Sequence, residues 1–450
     1  MTGKSTPGAD PLMADAALPT SLDAWLERLE AVHPVGIDLG LERVAEVARR
    51  MGLLKGRLAG RVITVAGTNG KGSTVAMLEA LARAHGLTTA TYTSPHLIRY
   101  NERLCLNGRE AEDATLIEGF EAVEAARLNG EPVSLTYFEV GTLGALWAIA
   151  LQPPDLAILE VGLGGRLDAV NVVDPDVAVV TTVAQDHAAF LGNDLAQIGR
   201  EKAGILRPGR PAVLGSRELP DSVREVAETL GAPVFALGEA FGREGEGDGW
   251  RFWGQTTLID LPDPGLPLDN AATALQALAL AGVTLERAVC RRALAEVRLP
   301  GRMQWLGQWC LDVGHNPHAA SYLAARLVAR PCAGRTIALL GMLVDKDADG
   351  VMAALAPAVD AWVTASLDGE RARTAEDLAS RLARQGAEVW HQAASPAEGA
   401  AWLAKRLDAR DRVLVCGSFF TVGEVLAARL AAEQPRAQTE GDDMCSEGVS

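Results

Sequence analysis

The stretch Val65-Ala66-Gly67-Thr68-Asn69-Gly70-Lys71-Gly72-Ser73-Thr74 decides how this chain folds. An apolar run, 61–66 (RVITVA), leads into it as a buried-strand candidate, and a helical pattern follows through His85. Glycines let the backbone turn tightly, so successive N–H groups converge on phosphate oxygens. The helix N-terminus adds partial positive charge at the same point. Lys71 is placed to reach the terminal phosphates, and Ser73 to bond a phosphate or a magnesium-bound water. Asn69, Gly70, Lys71, Gly72 and Ser73 therefore form a candidate nucleoside-triphosphate site. An incidental Gly-rich turn would need neither the strand before nor the helix after.

Working outward, strand candidates at 156–160 and 177–183, with a weaker one at 211–215, alternate with helical segments. That alternation argues for an α/β fold with a mainly parallel sheet covered on both faces. A charged, Gly-rich loop at 239–249 (EAFGREGEGDG) breaks the pattern, and 250–261 reads as a short antiparallel edge. Helices at 270–281 and 285–297 precede Leu299-Pro300-Gly301-Arg302, where Pro-Gly punctuates the chain and marks a domain boundary. A second α/β pattern then begins, with strands near 309–313, 336–340, 361–365, 388–391 and 412–416. The expected layout is a disordered leader at 1–19, an ATP-binding P-loop domain at 20–298, a smaller Rossmann-like α/β domain at 299–433 and a disordered tail at 434–450.

The chain has 450 residues, 48% hydrophobic and 22% charged, enough for two or three domains with real cores. No apolar stretch reaches the ~20 residues of a membrane span. A net charge of −16 argues against a general nucleic-acid binder. The six cysteines show no CxxC or metal-ligand spacing and read as reduced thiols of a cytoplasmic protein.

Polar residues at strand ends supply the chemistry. Glu160 closes an apolar strand and opens a Gly-rich loop, at the carboxyl edge where ligands bind in open α/β sheets. His187 follows strand 177–183 at the same edge. Singly, these read as a loop carboxylate and a histidine bonded to backbone. Beside a phosphate loop they favour magnesium, which takes oxygen ligands and bridges phosphates. Histidine is an unusual magnesium ligand, so the residues alone leave His187 undecided. Arg302 can meet a phosphate, or be a linker arginine. Asp312 ends the first strand of the small domain, and His315 and Asn316 follow at once, suggesting a site on the interdomain face. The spacing at Lys71 departs from GxxxxGK[ST], because Gly72 separates it from Ser73. That points away from a plain GTPase or kinase and toward an ATP-dependent ligase.

GTNGKGS (67–73), SPHLIRYNERL (94–104), EVGLGGRLDAVN (160–171), QDHAAFLG (185–192), REKAGIL (200–206), LPGRMQ (299–304), DVGHNPHA (312–319), GMLVDKD (341–347) and GSFFTVGEVL (417–426) occur in this order. Together they closely resemble the folylpolyglutamate synthase and dihydrofolate synthase family of the Mur-ligase superfamily, from about Leu22 to Leu430. Gly314 stands where that family usually has alanine. The resemblance implies a Mur-ligase-like P-loop domain followed by a glutamate-ligase domain. It implies Ser94, Glu160 and His187 as metal ligands, and Asn270, Arg302 and Asp312 as ATP contacts. It implies a carbamylated Lys202, although Glu201-Lys202 alone would read as a solvated helix face. Only six lysines are present, and Lys71, Lys202 and Lys346 all fall within these motifs. His315 is placed near the phosphates or the incoming amine, and Arg103 and Ser418 as holders of the glutamate carboxylates. Thr136, Tyr137, Phe138 and Glu139, with Leu167, Asp168 and Ala169, match stretches that contact the pterin in dihydropteroate-using relatives. Tyr137 and Phe138 read equally well as core residues.

On this resemblance the cofactors are ATP and Mg²⁺, and the reaction is ATP-dependent joining of L-glutamate to a carboxylate through an acyl phosphate. Lys71, Arg302 and magnesium would neutralise charge in the first step, with Lys202, Asp312 and His315 as further catalytic candidates. Dihydropteroate, giving dihydrofolate, and folates, gaining a glutamate tail, both fit as acceptors, and a bifunctional monomer is the favoured reading. One rival is a Mur-type UDP-muramyl amino-acid ligase, which carries a further domain ahead of its phosphate loop; only 66 residues precede Gly67 here. The other is a P-loop nucleotide-binding module without ligase activity.

Overall fold

The computed structural model describes residues 18–32, 38–186 and 188–433; the expected leader (apart from Leu18 and Pro19), the tail and His187 lie outside the described residues. The chain forms two compact units that divide after Gln304, a little beyond the boundary expected at 298/299. The turn after Pro300 is closed locally, the Gly301 amide donating to the Gln304 side chain at 2.9 Å.

The first unit is built on β1 (Arg61–Ala66), β2 (Thr89–Tyr92), β3 (Leu104–Leu106), β4 (Arg109–Glu110), β5 (Leu156–Glu160), β6 (Val177–Val180), β7 (Ala212–Leu214) and β8 (Val234–Ala236). They form one eight-stranded sheet in the order β4-β3-β2-β5-β1-β6-β7-β8. The run from β2 to β8 is parallel, and β3 and β4 add antiparallel pairs at one edge. Ile63 and Val65 of β1 pack with Val75 and Leu78 of helix Lys71–Ala84 on one face. Val62 packs on the other face with Val140 and Leu143 of helix Tyr137–Leu151. A strand covered on both sides reads as a continuous apolar run, which is why β1 and β5 are plain in the sequence.

The expected strand 177–183 stops at Val180. The Thr181 amide still donates to the Ala66 carbonyl at 2.9 Å, but the Thr182 carbonyl turns to the Thr68 amide of the phosphate loop at 2.8 Å, and both threonine hydroxyls donate to the Asn69 carbonyl, at 2.7 and 3.0 Å. The expected antiparallel edge at 250–261 is instead part of a separate three-stranded sheet, β9 (Gly242–Glu244), β10 (Trp250–Trp253) and β11 (Thr257–Leu261), ordered β11-β10-β9. Trp250, Phe252 and Leu261 are buried with Leu275 and Leu278 of helix Leu268–Leu280, so this small sheet holds that helix in place.

The second unit carries β12 (Gln304–Leu306), β13 (Trp309–Leu311), β14 (Thr336–Leu340), β15 (Ala361–Ala365), β16 (Val389–Ala393) and β17 (Arg412–Cys416) in the order β12-β13-β17-β14-β15-β16. The pairs from β13 to β16 are parallel. Asp312 therefore follows the second strand of this sheet, not the first as expected, because the short β12 precedes it. No helix among the described residues is long and apolar enough to cross a membrane.

Candidate active site

The phosphate loop joins β1 to helix Lys71–Ala84, with Gly70 at the N-cap in the left-handed region, φ 87°. A Cβ at Gly67 would come within 1.8 Å of the Thr181 hydroxyl, so only glycine fits there. The loop is clamped from the end of β6. Amides of Thr68 and Asn69 donate to the Thr182 carbonyl and hydroxyl at 2.8 and 2.9 Å. Lys71 Nζ donates to the Gly67 carbonyl at 3.0 Å and lies close to that of Thr68 at 3.4 Å. Ser73 is buried, donates to the Gly70 carbonyl at 3.1 Å and accepts from Asn270 Nδ2 at 2.8 Å. Asn69, Gly70, Lys71, Gly72, Ser73 and Asn270 are thus brought together. The Thr181-Thr182 clamp is what sequence reading missed; two hydroxyls closing an apolar run were its signal.

Glu160 is paired with Val65 in the parallel register, one strand over from the loop. Its carboxylate is 4% exposed, and a Cβ built at Gly72 would lie 3.9 Å from Oε2. Burial pushes its pKa up, against the opposing pull of Lys71, Arg302 and the Ser94 amide, which hydrogen-bonds it. The same charges that would hold phosphate thus already surround this acid, with Arg302 among them.

Lys202, on helix Leu195–Ala203, is 3% exposed, which overturns the solvated-face reading. Burial, then the Lys71 ammonium, push its pKa down to about 7, with Asp186 and Asp168 opposing. Asp168 is also buried, and burial raises it to about 6 although amides of Leu163, Val170 and Gly162 and the Lys71 charge pull it down. Lys71, Glu160, Asp168 and Lys202 make one electrostatic neighbourhood. Among the described residues no three His, Cys, Asp or Glu side chains gather to hold a metal. The oxygen donors present, a buried Glu160 carboxylate beside the phosphate loop and Ser94 next to it, do suit a hard cation such as Mg²⁺.

Thr136 and Glu139 form a capping box at the start of helix Tyr137–Leu151: the Thr136 amide donates to Glu139 at 2.7 Å, and the Glu139 amide to the Thr136 hydroxyl at 3.3 Å. Arg43 Nε also donates to both Glu139 oxygens, at 2.8 and 3.0 Å. Those two side chains serve the helix, and Tyr137 and Phe138, both half-buried, pack against the core beneath it. Phe138 packs by Tyr92, ring centroids 6.3 Å apart, and against Gly162. The helix touches the turn Ala169–Val172, which Asp168 caps, so the elements that carry the two acceptor stretches pack together; Leu167 is half-buried. Arg103, 8% exposed, lies over Tyr100 and Tyr137 at 5.0 and 5.6 Å and donates from Nε to His96 Nδ1 at 3.0 Å. Burial, then the Arg103 charge, hold His96 down at about 4. Arg103 thus shares Tyr137 with the acceptor stretch, and His96 is a second residue sequence reading passed over.

In the second unit, Asp312 is buried and accepts from the Gly314 amide at 2.8 Å. A Cβ at Gly314 would stand 2.9 Å from Leu323 Cδ1 and 3.1 Å from Asp312 Oδ1, so glycine lets this loop close tightly. His315 donates from Nδ1 to the Val313 carbonyl at 2.9 Å, and Asn316 caps helix Pro317–Ala329. Ser418 is buried, accepts from the Thr421 amide at 3.0 Å and lies 2.7 Å from the Thr421 hydroxyl. The Gly417 amide donates to the Gly314 carbonyl at 3.1 Å, which joins the loops after β13 and β17. Asp312, His315 and Ser418 therefore share one carboxyl edge, while Arg103 belongs to the other unit.

A phosphate loop with a glycine between lysine and serine, a buried glutamate on the next strand and a buried lysine that feels the loop lysine's charge define a Mur-type ligase. Residues 65–214 match the Mur ligase middle domain, and residues 301–419 the Mur ligase glutamate ligase domain. The dihydrofolate synthase/folylpolyglutamate synthase of Escherichia coli (strain K12) is 46% identical over 414 residues, 90% of this chain and 94% of that protein. The structure of E. coli FolC in complex with DHPP and ADP superposes with TM-score 0.88 at 44% identity, covering 92% of this chain and 99% of that one. The bifunctional enzyme of Yersinia pestis complexed with AMPPNP and Mn superposes with TM-score 0.85 at 44% identity, covering 91% and 98%. The chain belongs to the dihydrofolate synthase/folylpolyglutamate synthase family.

Proposed function

We infer that this chain is an ATP-dependent ligase that joins L-glutamate to dihydropteroate, giving dihydrofolate, and to folates, extending a γ-glutamyl tail. The observation that carries it is the cluster of Lys71, Ser73, Asn270 and Glu160 around one Gly-rich loop, in a chain 46% identical to such an enzyme. A carboxylate is a poor electrophile because oxide is its leaving group. An oxygen of the acceptor carboxylate attacks the γ-phosphorus of ATP, the bond to ADP breaks, and an acyl phosphate forms. The glutamate amine then attacks the acyl carbon, loses a proton, and the tetrahedral intermediate expels phosphate.

The loop amides and Lys71 hold the phosphates, Asn270 fixes Ser73 at the first turn of the helix beside them, and Arg302 adds a second cation. Ser94 and Glu160, with His187 as the family resemblance implies, would hold Mg²⁺, which would supply charge neutralisation on the phosphates. Lys202 acts as a carbamate: its neutral amine adds to CO₂, an N–C bond forms, and a proton leaves to solvent. The product is an anion where an ammonium would repel Lys71. Asp312, His315 and Ser418 serve nucleotide and glutamate from the second unit, and Leu167, Asp168 and Ala169 line the pterin side with Tyr137 and Phe138. The protein works as a cytoplasmic monomer on these small molecules.

The test is purified protein with ATP, Mg²⁺, L-glutamate and either dihydropteroate or a reduced folate, with products weighed by mass spectrometry. Dihydrofolate with ADP and phosphate is the expected outcome. Extension of pre-formed folates alone would remove the synthase half.

A further inference from the structure

The loop that leaves β2 carries a guanidinium set with unusual care. Arg103 closes the turn Tyr100–Arg103, and the Glu102 carboxylate beside it accepts from the amides of Leu97, Ile98 and Arg99 at 2.6, 2.7 and 2.7 Å. The Thr93 amide donates to the Arg103 carbonyl at 2.9 Å. The segment 93–103 is therefore pinned to itself, and His96 and Arg103 are fixed with respect to each other. Arginine Nε only donates, so the nitrogen facing it, His96 Nδ1, must be the unprotonated one. One edge of the guanidinium is thereby used by His96 and its face by Tyr100 and Tyr137, and the Tyr92 hydroxyl also bonds to it. Among the described residues no carboxylate lies within ion-pair distance of Arg103, and its terminal N–H fork matches a carboxylate bidentately.

Position says which carboxylate. Arg103 shares the Tyr137 ring with the acceptor stretch, and the segment it closes leaves the carboxyl end of β2, which pairs with β5, the strand that ends in Glu160. β5 in turn pairs with β1, which runs straight into the phosphate loop. The fork thus stands between the pterin side of the first unit and its phosphate side. An acceptor spanning those two sides places its own carboxylate there, the group to be phosphorylated. The match to the glutamate ligase domain, by contrast, begins at 301.

We propose that His96 is a positioning residue for the acceptor: it holds Arg103 so that the guanidinium fork receives the acceptor's reacting carboxylate, not that of the incoming glutamate. This rests on the ligase reading above. If the wild-type protein formed no amide, that reading would fail; the present proposal is decided by comparing variants of an active enzyme.

The test is steady-state kinetics with each of the three substrates varied in turn, together with fluorescence-monitored equilibrium binding of dihydropteroate. His96→Leu, which keeps bulk and loses the acceptor, should raise KM and Kd for dihydropteroate about tenfold, the scale of one charge-assisted hydrogen bond. KM for ATP and for L-glutamate should stay within about twofold. His96→Asn, whose amide oxygen can stand where Nδ1 stood, should recover most of the loss. Should the leucine variant fail to fold by circular dichroism, His96→Gln replaces it, because its oxygen reaches the Nε2 position and misses Arg103. Equal losses in the asparagine variant and its mismatched partner would overturn the proposal. A rise in KM for L-glutamate with acceptor binding unmoved would overturn it too.

Discussion

Asn270 Nδ2 donates to the Ser73 hydroxyl at 2.8 Å, joining helix Leu268–Leu280 to the first turn after the phosphate loop. Ser73 donates onward to the Gly70 carbonyl, so the amide sets which way the hydroxyl hydrogen points and leaves its lone pair arrangement fixed. A Cβ at Gly70 would come within 2.8 Å of Asn270 Nδ2, so the loop glycine and the helix asparagine are matched in size. Asn270→Ala should weaken ATP use by about 1–2 kcal/mol, the range of a buried hydrogen bond. ATP titrations read by ADP formation, on a variant shown folded by its melting curve, check this; unchanged ATP kinetics would make Asn270 a packing residue only.

Arg302 follows the Pro-Gly turn in the first unit, and its charge is felt by the buried Glu160. Arg302→Ala should cost about 1.5–3 kcal/mol in ATP use, the scale of a charge-assisted contact. The fold should persist, because this half-buried side chain fills no core. A folded variant with normal ATP kinetics would return Arg302 to a linker role.

Arg412 stabilises the second unit without touching the proposed chemistry. Buried in β17, it donates to the Thr336 hydroxyl at 3.1 and 2.8 Å and to the carbonyls of Leu327 and Arg330 at 3.1 and 2.7 Å. Those carbonyls close helix Pro317–Ala329, so one cation ties a helix end to two strands. Arg412→Met should lower unfolding free energy by about 2–4 kcal/mol, since several buried acceptors lose their donor. Urea melts check the loss, and activity per folded molecule should hold.

Much of the fold was legible because buried parallel strands are apolar along their whole length. Arg61–Ala66, Thr336–Leu340, Ala361–Ala365 and Arg412–Cys416 all end where the apolar runs end. Thr89–Tyr92 escaped notice: its threonines and tyrosine are polar in name, yet all four residues are buried in the sheet. The strand expected at 177–183 ends early for a related reason: Thr181 and Thr182 look like strand residues, but Thr182 gives its carbonyl to the phosphate-loop amide of Thr68. At the site, motif spacing pointed to the phosphate loop but not to burial. Nothing in Arg-Glu-Lys-Ala tells a solvated lysine from one 3% exposed, because burial of Lys202 comes from loops far along the chain, such as Gly165, whose Cβ would strike the Glu201 carbonyl at 2.7 Å. Thr136 and Glu139 carry the opposite lesson: Thr-x-x-Glu is a capping signature first, and here it caps.

Lys202 is the residue whose chemistry the burial most directly sets. Burial and Lys71 bring its pKa to about 7, so at pH 7.5 the amine is mostly neutral, whereas roughly one in a thousand free lysines would be. Only the neutral amine adds CO₂, so carbamylation should become easier as pH rises through about 7. Enzyme held in CO₂-free buffer at pH 7.5 should lose activity and regain it with bicarbonate, and regain less at pH 6, where the ammonium dominates. The stability sign is fixed by the same shift. The folded value is below the unfolded one, so the unfolded chain binds the extra proton between about 7 and the ordinary lysine value of 10.5, and unmodified protein should gain stability as pH climbs that window. Lys202→Met should flatten that slope. Lys202→Arg should be nearly as damaging to single-turnover ADP formation as Lys202→Ala, because guanidinium takes up no CO₂ and keeps a positive charge beside Lys71. Formate should restore part of the rate in the alanine variant and none in the arginine one. With ¹³C-bicarbonate, wild-type protein should show a carbamate carbon that the methionine variant lacks. Near-normal rates in Lys202→Arg, or no such signal in active enzyme, would mean that the buried amine works uncarbamylated.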